Sequence, residues 1–152
     1  MDFDTTVRLA IMDSFLAEVG PSVPVVARML EAPATDVAAA FDRLAASRAI
    51  VLQPGTHDIL MSAPFAGVRT EFSVRVRDRW YSANCIWDAL GIPAMLAGAG
   101  RPANARIETR CADCSASLSL DLREGELTAE PPDAVVHFAV PAARWWADIV
   151  FT

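Results

Sequence analysis

Cys85 and Asp88 stand three residues apart in WYSANCIWDALGIPAML (residues 80–96), a stretch that is otherwise almost wholly apolar. On a helix this spacing puts both side chains on one face, with Cβ atoms about 5–6 Å apart. A sulfur near the start of that helix would feel the positive end of the backbone dipole. That favours the thiolate and makes the sulfur a nucleophile or a ligand for a soft metal. A carboxyl group beside it, in apolar surroundings and next to a negative sulfur, should keep its proton to higher pH. Such a pair suits cleavage of a bond between a soft metal and carbon: the sulfur takes the metal, and the carboxyl protonates the carbon that leaves. The same residues also admit a plain reading, in which Cys85 is one more core residue and Asp88 belongs to a helix surface.

Two further cysteines, Cys111 and Cys114, form a Cys-x-x-Cys between two alternating segments. On a hairpin turn both sulfurs can face one ion, which makes a good half-site for zinc, copper(I) or mercury, although one such pair is not four ligands. A structural role and a redox pair are the other readings of this motif. The bulky residues Trp80, Tyr81 and Trp87 flank the Cys85 segment and are candidates for the wall of a substrate pocket. Trp145 and Trp146 are weaker candidates of the same kind, since tryptophans more often serve cores and interfaces. Arg75, Arg77 and Arg79 read as the solvated face of a strand. His137, within VVHFAV, reads as a strand residue rather than a ligand.

The elements that must position these groups fall into two parts. Residues 5–19 repeat Val7, Ile11, Phe15 and Val19 at helical spacing, and Gly20-Pro21 ends the run. A second helix is expected over 23–30. A third is expected to follow Thr35 as its N-cap, with Asp36 in its first turn. AIVLQ and DILMSA, separated by Pro54-Gly55-Thr56-His57, read as a β-hairpin. Three helices followed by a hairpin make a winged-helix-like module, and residues 1–62 are assigned to it. Residues 63–152 alternate differently. TEFSVRVRDRWYSA reads as one half-buried strand, CIWDALG as a short helix stopped by Gly91 and Pro93, and ARIETRC and SLSLDL as a hairpin. AVVHFAVP reads as a further strand, and AARWWADIVFT as a helical or extended segment. The expected class is α+β, with the N-terminal three-helix module followed by an α+β core of mostly antiparallel strands.

Composition narrows the function. The 152 residues are 53% hydrophobic and 21% charged, enough apolar material for a packed core, and the net charge is −6. That charge argues against nucleic acid and anionic membrane as partners. The third helix reinforces the first exclusion, because it is rich in alanine and short of the Arg, Lys, Asn and Gln that read bases. The start, Met1-Asp2-Phe3-Asp4, is acidic where a secretory signal would be basic, and apolar runs break well short of a bilayer span. A cytoplasmic location is expected, with the three cysteines as thiols.

RWYSANCIWDALGIPAML resembles the active-site segment of the organomercurial lyases, the alkylmercury lyase family. The likeness continues through ARIETRCADCSASLSLDL and VVHFAVPAARWWADIVFT, and the helical first sixty residues match the N-terminal part of that family. The resemblance implies protonolysis of a carbon–mercury bond, with a hydrocarbon and Hg(II) as products. Cys85 falls on the family's first mercury-binding cysteine and Asp88 on its proton-handling aspartate. Cys111 falls on a cysteine that is structural in the family, and Cys114 has no counterpart. The implied substrate is a small organometallic compound. No cofactor is required: Hg(II) is the bound product and free thiols remove it. The family's second catalytic cysteine would follow RWWADIVFT, and these 152 residues do not include it. The expectation is therefore of a shortened chain, and the apolar tail of Trp145, Trp146, Ile149, Val150 and Phe151 would let two copies pair as a homodimer.

Overall fold

A computed structural model describes residues 1–97, 102–138 and 140–149. It begins with three helices, α1 (Phe3–Leu16), α2 (Val23–Leu30) and α3 (Ala34–Ala46). Asp2 caps α1 by accepting the Thr5 N–H, and Ser22 caps α2 by accepting that of Val25. The N-cap of α3 is Pro33 rather than Thr35. The Pro33 carbonyl accepts the N–H groups of Asp36 and Val37, and the helix starts one residue ahead of the hydroxyl. Each helix turns its apolar stripe inward. Val7 and Ile11 of α1, Val26 of α2 and Val37, Ala40 and Phe41 of α3 are fully buried in one cluster. Arg43 binds Asp4 through two nitrogens, closing α3 onto α1 from outside.

The chain then forms a small antiparallel sheet of β1 (Val51–Leu52), β2 (Ile59–Ser62) and β3 (Phe65–Ala66). The expected hairpin is present, and β3 adds a third strand to it. Gly67 lies where a Cβ would overlap the Ile59 carbonyl oxygen, so only glycine lets the chain leave β3 this close to β2. Phe65 ties this sheet to the second half of the chain. Its backbone bridges Ala83, and its ring stacks on Phe15 at 5.0 Å and meets the Tyr81 ring at a tilt, 5.5 Å between centroids.

The second sheet has five antiparallel strands in the order β5-β4-β6-β7-β8. These are β4 (Ser73–Val76), β5 (Arg79–Ser82), β6 (Ala105–Arg110), β7 (Ser117–Arg123) and β8 (Glu126–Glu130). The segment TEFSVRVRDRWYSA is thus two strands rather than one. Val76 pairs with Arg79 across a turn in which Arg77 takes a left-handed φ of 55°. Val74, Val76, Ala105 and Ile107 face one side of this sheet, where α4 (Ile86–Met95) packs Ala89, Ile92 and Pro93. Gly91 and Pro93 do not stop α4, because packing of that apolar face outweighs the local cost of the two breakers. The AVVHFAV segment forms no strand among its described residues. Val135 is 87% exposed there, and these residues join neither sheet. A 3-10 turn over Ala142–Ala147 comes next. No helix among the described residues is long and apolar enough to cross a membrane.

Candidate active site

The site is built where β5 gives way to α4. Thr70 donates its hydroxyl to the Ala83 carbonyl at 2.6 Å, and the Ala83 N–H reaches the Phe72 carbonyl at 2.9 Å. These bonds hold the residues just ahead of the helix. Cys85 is the N-cap residue of α4, in extended backbone, and its carbonyl accepts the Ala89 N–H at 2.9 Å to open the helix. Asp88 lies in the first turn. Asn84 donates from Nδ2 to Asp88 Oδ2 at 2.7 Å, while its own Oδ1 is buried without a partner among the described residues. One turn of backbone thus sets a thiol, a carboxyl and a carboxamide side by side.

Asn84, Cys85 and Asp88 line a hollow of about 230 Å³. Its apolar wall comes from distant parts of the chain: Ile50, Val51 and Met61 from the end of the N-terminal module, and Trp145, Trp146 and Ile149 from the last described segment. Arg8 of α1 and Arg48, just past α3, complete the lining. The Arg48 guanidinium lies 5.7 Å from the centre of the Trp146 ring, and the Trp145 indole N–H donates to the Val140 carbonyl at 3.1 Å.

Burial dominates the electrostatics here. It pushes the Cys85 thiol up, more than the backbone N–H groups of Asp88 and Trp87 bring it down, and the Asp88 carboxyl adds to the rise. The expected net lowering of this thiol by the helix terminus is therefore overturned: the dipole is present, but desolvation is larger. Asp88 is also pushed above the usual carboxylate range by burial, against the opposing hydrogen bond from Asn84. Burial thus shifts both groups in the direction of their neutral forms.

The remaining candidates lie elsewhere. Trp80 and Tyr81 line a separate depression with Phe15 and Phe65, and Tyr81 is buried beneath it. Trp87 is 60% exposed and sits edge-on to Phe138, outside the residues that line the hollow. Cys111 and Cys114 occupy the β6–β7 turn, closed by Cys111 N–H to the Ala116 carbonyl and Ser115 N–H to the Cys111 carbonyl. Neither lines the hollow. The N–H groups of Cys114 and Asp113, with the Cys114 side chain, pull the Cys111 thiol down. Among the described residues no three His, Cys, Asp or Glu side chains gather into a metal cluster. His57 pairs with Asp42 at 3.1 Å on the surface, and His137 is exposed. Of the apolar tail, Trp145, Trp146 and Ile149 turn to the hollow, while Val150 and Phe151 lie outside the described residues. Asn84, Arg8 and Arg48 are site residues that sequence spacing did not reveal.

Comparison with known proteins identifies the family and the fold. The family model described as alkylmercury lyase, MerB, matches residues 65–152. A crystal structure of the mercury-bound form of MerB2 superposes with a TM-score of 0.63 at 17% identity, covering 82% of this chain and 60% of that one. At that identity the likeness establishes the fold, and this chain spans about 60% of the length of that protein. No curated protein matches the chain.

Proposed function

Because the chain belongs to the alkylmercury lyase family, we propose that it cleaves carbon–mercury bonds, with Cys85 taking the mercury and Asp88 moving the proton. The observation that carries this reading is the thiol–carboxyl pair at the opening of α4, both groups pushed upward by burial and both lining one largely apolar hollow. In the first step an organomercury hydroxide meets the Cys85 thiol. The S–Hg bond forms, the Hg–O bond breaks, and the thiol proton leaves with hydroxide as water, with Asp88 as the relay. In the second step protonated Asp88 delivers its proton to the mercury-bound carbon, and the hydrocarbon departs. A free thiolate takes the coordination position that the carbon leaves, and further thiols remove Hg(II) from Cys85. Asn84 holds the carboxyl toward the sulfur throughout. A dry wall of Ile50, Val51, Trp145 and Trp146 keeps competing water from the polarised carbon.

The test is hydrocarbon release from phenylmercury in the presence of excess thiol. Cys85→Ser should abolish benzene formation. Asp88→Asn should lower the cleavage rate by about 100-fold or more, the scale of a lost general acid, while still allowing mercury to load on Cys85. Unchanged benzene release in either variant overturns the proposal.

A second reading, a non-catalytic soft-metal protein, is favoured by the Cys111–Cys114 pair, which is set at the surface with one thiol pulled down. It predicts one equivalent of Hg(II) or copper(I) held on this turn, lost in Cys111→Ser/Cys114→Ser, with no carbon–metal cleavage at Cys85. Metal titration beside the benzene assay separates the two readings.

A further inference from the structure

We propose that Arg8 and Arg48 make this site selective for organomercurials whose organic group carries an anion, such as a carboxylate on an aryl ring. The inference rests on the reading of Cys85 as the mercury-capturing thiol and concerns the other end of the substrate.

Four ionisable side chains line the hollow: Arg8, Arg48, Cys85 and Asp88. The thiol and the carboxyl sit together at the opening of α4, partly buried, whereas both arginines are exposed at its mouth. None of the ion pairs among the described residues engages Arg8 or Arg48, in contrast to Arg43, which is held by Asp4. Arg48 lies instead against the face of Trp146, which orients its planar guanidinium and leaves its edge for a planar oxyanion. In a chain of net charge −6, two cations at the mouth of one apolar hollow, with no acidic partner among the described residues, form a local positive field.

The lining therefore offers three kinds of partner to one substrate: sulfur for mercury, the apolar side chains of Ile50, Met61 and Trp145 for an aryl or alkyl body, and the two exposed guanidinium groups for a negative substituent. Arg8 comes from α1 and Arg48 from the turn after α3, so the N-terminal module supplies the selectivity while α4 supplies the chemistry.

The test reads mercury loading and does not require cleavage. In a Cys111→Ser/Cys114→Ser background Cys85 is the one remaining thiol, and its loss is monitored on mixing with phenylmercury or 4-carboxyphenylmercury. Rates are normalised to those of mercaptoethanol. The carboxylate reagent should load about tenfold faster than the neutral one at low salt, and this preference should shrink as ionic strength rises. Arg8→Gln/Arg48→Gln should abolish the preference, bringing the 4-carboxyphenylmercury rate down to that of phenylmercury in the same variant. Arg8→Lys/Arg48→Lys should retain most of it, and Arg43→Gln all of it. A preference absent from the parent chain, or one that survives in Arg8→Gln/Arg48→Gln, overturns the proposal, as does equal slowing of both reagents. A preference that tracks the arginines while neither reagent yields hydrocarbon would sink the lyase reading alone.

Discussion

Burial holds Asp88 and Cys85 toward their neutral forms, and the consequences can be measured one side chain at a time. For Asp88 the folded-state pKa is raised, so the folded chain binds more protons than the unfolded chain between the ordinary carboxylate value and the raised one. Stability must therefore fall as pH rises through that window and stay lower above it. Asp88→Asn keeps an oxygen to accept the Asn84 N–H and removes the charge. It should melt higher than the parent at pH 7 and equal to it under acid conditions where Asp88 is protonated, as thermal denaturation across pH would read. Asn84 acts in the opposite sense, because its donated bond favours the carboxylate. Asn84→Ala should move the alkaline limb of the single-turnover cleavage rate to higher pH, and unchanged pH dependence would count against a positioning role. Cys85 and Asp88 were legible in the sequence because i and i+3 are neighbours on any helix. Asn84 was not, since a polar residue ahead of a helix reads as loop until its partner is seen.

At the scale of elements, the site depends on a junction more than on the helix alone. The β5–α4 link is held by Thr70 and Phe72, and behind it β3 bridges to Ala83 through Phe65. Gly67 is the position where this arrangement has least room. Gly67→Ala would force β2 and β3 apart at the Ile59 carbonyl, with an expected loss of about 1–3 kcal/mol or more, as for overpacking elsewhere. Chemical denaturation would measure that loss, and a drop in Cys85 mercuration alongside it would show that the junction positions the thiol. The helices were readable from their 3.6-residue periodicity. The β4–β5 turn at Arg77-Asp78 was not, because no glycine or asparagine marks the left-handed position, and the one break in the alternation is the charged run Arg77-Asp78-Arg79. AVVHFAV has the opposite history: its composition favours a strand, but its described residues pair with neither sheet.

Across the whole molecule, two apolar clusters meet along α1, whose Met12, Phe15 and Leu16 pack against the second. The first joins α1, α2 and α3 to the start of the small sheet, and the second lies between α4 and the five-stranded sheet. Phe65 is fully buried in the second and stacks on Phe15, which packs against both. Phe65→Ala should cost about 3–5 kcal/mol, the range for a buried aromatic. It should also loosen the hollow, because Ile50, Val51 and Met61 reach Cys85 only if the N-terminal module is seated. A variant in which stability falls but mercuration at Cys85 is untouched would argue that the module is not needed to shape the site.

From the residues alone came the pairing of Cys85 with Asp88, the three amphipathic helices, the hairpins and the resemblance around WYSANCIWDALG. All of these are written within a few residues of one another, where periodicity and spacing act directly. Tertiary structure alone decided what surrounds the pair. Arg8, Arg48, Met61 and Trp146 are scattered over nearly the whole chain, and no local pattern marks residues that meet only when two clusters close on each other. It also decided the sign of the Cys85 shift, since a helix terminus can be read from sequence, whereas the depth of burial that outweighs it depends on every element packed around it.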